Sequence, residues 1–120
     1  MARNPYTTAI INNLGIDAAN LRNLAETHGF DSPIGQCADM IQSTIWEMQS
    51  AERAANDAVN KIREAAEQQA GNLTGTAGTY DASWLTTYAQ RANEANQKIT
   101  AGIERLTTFK RLLDVLLTNA

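Results

Sequence analysis

An unbroken alternation of four- and three-residue steps runs through the last third of this chain. It reads Leu85, Tyr88, Ala92, Ala95, Ile99, Gly102, Leu106, Phe109, Leu113 and Leu116. A near match precedes it, through Ile34, Ala38, Ile41, Ile45, Met48, Glu52, Ala55, Val59, Ile62 and Ala66. Such spacing averages about 3.5 residues, close enough to the helical period of roughly 3.6 that one apolar stripe stays turned toward a partner helix. Two stripes separated by a Gly/Thr-rich stretch predict an all-α fold built on a long antiparallel helical hairpin, about 33–70 and 81–118. Each arm would run ~55 Å at about 1.5 Å per residue.

Punctuation supports the boundaries. Asp31-Ser32-Pro33 offers a capping residue followed by proline, whose missing N–H is harmless in the first helical turn, and Gly71 follows the expected end of that arm at about Ala70. A shorter helix is expected at about 5–28. It starts at Asn4-Pro5, carries apolar residues at Ile10, Leu14, Ala18, Leu21 and Leu24, and stops at Gly29. Gly15, with Asp17 as a second capping residue, is a place for this helix to kink or split. The expected product is a three-helix bundle, a single helical domain over 1–120, with a Gly/Thr-rich hairpin tip at 71–80.

The two stripes also imply a register. If Ala70 lies opposite Asp81, then Ala66 faces Leu85, Val59 faces Ala92, Ala55 faces Ala95 and Met48 faces Gly102. Further down, Ile45 faces Leu106, Ile41 faces Phe109 and Ala38 faces Leu113. Large side chains mostly meet small ones, as an interdigitated core requires. One residue breaks the apolar stripe: Glu52. Either its stem packs while the carboxylate reaches the rim toward Lys98, or it is a buried polar residue that fixes register.

Some apolar surface exceeds what a hairpin needs. Cys37, Thr44, Ala51, Ala58 and Ala65 form a column of small residues one heptad apart, beside the seam. They widen the stripe to the breadth of a multi-helix bundle, so the first helix or another copy of the chain is expected along them. Trp46 points away from the seam and calls for a cover, from the first helix or from a neighbouring subunit. Leu112, Leu113, Val115, Leu116 and Leu117 wrap nearly the whole helix circumference, which one partner helix cannot bury. Tyr80 and Trp84 stand where the tip meets the last helix, placed to cap the core or to serve recognition.

Catalytic signatures are sparse. His28 is the sole histidine and Cys37 the sole cysteine, on opposite sides of a helix break. One thiol forms no internal disulfide, and no Glu-x-x-His pair of the di-iron bundles occurs. The tip glycines lack the lysine of a phosphate loop. No cofactor, metal site or enzymatic activity is expected. A net charge of −3 argues against nucleic-acid binding, which favours a basic face. Residues 1–5 lead into Tyr-Thr-Thr rather than an apolar core, so no signal peptide is expected. The run 112–117 is far too short to span a membrane.

In outline, residues 34–118 resemble the tryptophan–x–glycine family of type VII secretion substrates, which are small, acidic, dimerising helical hairpins. At the motif itself this chain has Trp84 followed by Leu85-Thr86 in place of x-Gly. That resemblance implies a leaderless secreted hairpin. Charged residues make up 19% of the chain, below the usual quarter, and neutral Thr, Asn and Gln stand in for them. A hydrated surface with little like-charge repulsion suits dense packing. The leading expectation is therefore a non-enzymatic structural protein, a building block of a multi-subunit particle such as a phage virion, joined by self-association or protein partners. A small adaptor or inhibitor that docks on one protein is the remaining alternative. The expected contact surfaces are Trp46, Leu112, Val115, Leu117, Tyr80 and Trp84.

Overall fold

The computed structural model describes residues 4–73 and 83–119, with side chains described through 68 and from 85. Four helices make up the described residues: α1 (Pro5–Asn13), α2 (Ala18–His28), α3 (Pro33–Leu73) and α4 (Ser83–Thr118). The hairpin of α3 and α4 is the expected one. α3 continues three residues past Ala70, carrying Gly71 inside the helix, a position glycine occupies at a cost of about 1 kcal/mol relative to alanine. The expected tip at 71–80 therefore begins as helix, and its remainder, Tyr80 included, lies outside the described residues.

The first helix is not continuous. Gly15 takes φ +72°, and the chain leaves α1 in a Schellman turn: Ile16 N–H donates to the Ile11 carbonyl and Gly15 N–H to that of Asn12, both at 3.1 Å. Ile16 and Ile11, the two apolar partners of that motif, are both buried. A glycine followed by an apolar residue is the local reason for the break. α2 ends at Gly29, again with positive φ. Ser32 then caps α3, its Oγ accepting from Gly35 N–H at 3.0 Å and donating to the Gly29 carbonyl at 2.6 Å. The corner is tight: a Cβ on Gly35 would sit 2.1 Å from the Gly29 carbonyl oxygen.

α3 is the shared element. α4 packs along its length on one side, while α1 and α2 lie along its first half on another. The core is built there, from Ile34, Ala38, Ile41, Ile45 and Met48 of α3 against Ile99, Leu106 and Leu113 of α4, with Ile11, Ile16 and Leu21 closing it. Met48 occupies the notch of Gly102, where a Cβ would approach its Cγ to 2.4 Å. That is the contact the register predicts. Toward the tip the last buried residues are Ala58, of the small-residue column, and Ala95, of the seam, and Val59 is half exposed. Beyond them the hairpin projects as two helices, giving extents of 71 × 26 × 20 Å. The radius of gyration, 20.1 Å, far exceeds the ~14 Å of a compact chain this size.

Candidate functional site

Glu52 sits where the stripe predicts, in the interior and 4% exposed. Its carboxylate does not go to Lys98. It accepts the backbone N–H of Thr7 at 2.6 Å, the Thr7 hydroxyl at 2.8 Å and the backbone N–H of Tyr6 at 3.3 Å. These are first-turn donors of α1, left without intrahelical partners and carrying the positive end of the helix dipole. Asn4 occupies the capping position, but its side chain makes no capping bond, and its buried Oδ1 has no partner. A carboxylate from α3 does the capping instead. Sequence reasoning missed this because the two partners stand 45 residues apart with no shared pattern.

The small-residue column faces α4, not α1. The Cys37 thiol donates to the Phe109 carbonyl at 3.2 Å, and burial pushes its pKa above the ordinary 9.0. Higher up, Ala51 and Ala58 of α3 and Ala95 of α4 form the floor of an open groove of about 890 Å³. α1 and α2 lie on the other flank, against Gln42, Ile45 and Gln49. The column is thus covered by the hairpin's own second arm, and among the described residues nothing fills the groove above it.

The two lips of this groove differ in charge. On α3 the charged lining residues are Glu47 and Asp57; on α4 they are Arg91, Lys98 and Arg105, with Glu94 the one carboxylate. Glu47 and Arg105 pair across the groove at 3.1 Å, both well exposed, so the pair adds little stability. The Arg91 guanidinium lies 5.4 Å over the Tyr88 ring.

Of the expected contact residues, Trp46 is 63% exposed, so the first helix does not cover it. Leu112, Val115 and Leu117 are likewise exposed, at 47%, 56% and 36%, because α1 and α2 pack on α3 instead of closing over the end of α4. Leu113 is buried and Leu116 joins the core margin. Tyr80 and the side chain of Trp84 lie outside the described residues. Met40, 48% exposed, was not singled out by the sequence; it stands one heptad before Glu47 on α3. Phe30, at the corner before α3, is exposed too.

Among the described residues, no His, Cys, Asp or Glu cluster could hold a metal ion, and no helix is long and apolar enough to cross a membrane. No family model matches the chain, and no curated protein or solved structure shows significant similarity to it.

Proposed function

We propose that this chain is a non-enzymatic structural protein, a helical-bundle building block of a larger multi-subunit particle, of which a phage virion is one example. The observation that carries the reading is the mismatch between a seam satisfied within the chain and large apolar side chains left in water. Trp46, Met40, Leu112 and Val115 are all about half exposed or more, although the fold has three other helices with which to cover them. Scattered single apolar residues are ordinary on protein surfaces. Here two stand on α3 and two at the bare end of α4, faces that a neighbouring subunit would close. The low charge content acts in the same direction, since closely packed subunits then desolvate few ions.

Size-exclusion chromatography with light scattering tests this. A building block gives species heavier than the 13.1 kDa protomer, increasing with concentration. A single 13.1 kDa species at every concentration contradicts self-assembly.

A further inference from the structure

We infer that the α3–α4 groove receives the same groove of a second copy, related by a two-fold axis parallel to the helices. This rests on the assembly reading above and names its first contact. Around such an axis, α3 of each protomer stands over α4 of the other at an unchanged level. The charge asymmetry of the lips selects it. The alternative two-fold, perpendicular to the helices, would set the carboxylates of α3 against each other, and like charges in a closed interface are costly.

Reading down the groove, every level but that of Asp57 and Glu94 matches. Glu47 and Arg105 are already partners within one chain. In the pair of copies, two such bridges close into a square of alternating charge, a network where an isolated bridge contributes little. One heptad below, Met40 and Leu112, both about half exposed, become a square of four apolar side chains. One heptad above, Ala54 faces Lys98, and the alanine floor lets the helices approach closely. Asp57 and Glu94 form a carboxylate level, but Lys98 lies a turn below it and Lys61 and Arg91 a turn above. The stretch from Met40 to Asp57 is ~26 Å long at about 1.5 Å per residue. Two helices wide, this is on the order of 500 Å² per partner, below the ~800 Å² of a standard interface and in the range of weak, transient contacts. The contact is therefore a modest one, of the kind repeated many times in a particle.

A charge exchange between copies tests it. Glu47→Arg sets arginine against arginine twice in its own dimer, and Arg105→Glu sets glutamate against glutamate twice. Between copies a 1:1 mixture has neither clash, because each altered lip meets the other alteration; the like-charged pair inside each variant is present before and after association. Sedimentation velocity should show each variant associating on the order of tenfold more weakly than wild type, and the mixture recovering wild-type affinity. Both side chains are exposed, so helical circular dichroism should be unchanged. Ala54→Trp, which obstructs the groove from an exposed position, should abolish the dimer without any charge change. If wild type stays a single protomer up to millimolar concentration, or is captured only by a different protein, both the inference and self-assembly fail. If wild type associates but the mixture is no stronger than either variant alone, or Ala54→Trp associates as wild type does, the groove is overturned and assembly through another face stands.

Discussion

Glu52 of α3 caps α1 across 45 residues of chain, its Oε1 holding both the backbone N–H of Thr7 at 2.6 Å and the Thr7 hydroxyl at 2.8 Å. The bond fixes where the short first helix lies, and with it which flank of α3 is covered. Because α1 is anchored on the Gln42–Gln49 flank, the opposite flank is left as a groove.

Replacing Glu52 should therefore unseat α1 before it disturbs the hairpin. Glu52→Gln keeps an acceptor but loses the charge at the helix terminus, and should lower stability by about 1–2 kcal/mol. Glu52→Leu leaves the Thr7 donors buried without partners and should cost about 2–4 kcal/mol. Urea unfolding gives the magnitudes. Hydrogen exchange should locate the change in α1 amides while α3 and α4 retain protection; equal loss of protection throughout would remove the anchoring role.

Met48 and Gly102 form a close crossing of the hairpin. Gly102→Ala gains about 1 kcal/mol of helix propensity but drives a methyl into Met48 Cγ, an overpacking that costs about 1–3 kcal/mol. The single variant should be less stable than wild type. In a Met48→Ala background the clash is gone, so the same substitution should stabilise by about 1 kcal/mol. A double-mutant cycle by thermal or urea unfolding reads this reversal of sign, and a purely additive cycle would contradict the contact.

The corner between α2 and α3 has no room for a side chain at Gly35. Its nearest obstacle is the Gly29 carbonyl, which belongs to the backbone and cannot rotate away. Gly35→Ala should cost about 2–3 kcal/mol or more, as overpacking in a closed site does. Gly15→Ala is a different case: nothing occupies the space, and the cost comes from φ +72°, so about 1 kcal/mol is expected. Comparable losses at the two positions would mean that the Gly29–Gly35 approach is looser than described.

Cys37 supplies a pH signature. Its thiol is buried and donates to Phe109, and burial raises its pKa above 9.0. The folded state thus holds the proton more tightly than the unfolded chain. The resulting stability is fully present below about pH 9 and is lost as pH rises through the folded-state value. Wild type should lose stability relative to Cys37→Ala above pH 9, with a flat difference between pH 6 and 8. Thiol labelling at pH 8 should be slow until the protein is unfolded. Rapid labelling of folded protein would contradict the burial.

The sequence specifies the hairpin well because its information is local and periodic. A heptad stripe turns one face inward, and alternating large and small residues allow one register, so Met48 meets Gly102 as the spacing predicts. The split at Gly15 is also local, since positive φ and the Ile11–Ile16 contact lie within six residues of chain. What periodicity does not carry is which flank a third element covers. The small column beside the seam looks like the surface to be buried by the first helix, yet α4 itself packs on it and α1 goes to a flank bearing Gln42 and Gln49. The deciding interaction, Glu52 to Thr7, is a single long-range hydrogen-bonded group.

Small-angle X-ray scattering over a concentration series tests the groove assembly most directly, because it reports mass and length together. Two copies seated side by side in register should double the 13.1 kDa mass while the longest dimension stays at its dilute value, near the 71 Å of the protomer. A mass that never rises above one protomer, or a length that grows in step with mass as in end-to-end stacking, would contradict the account.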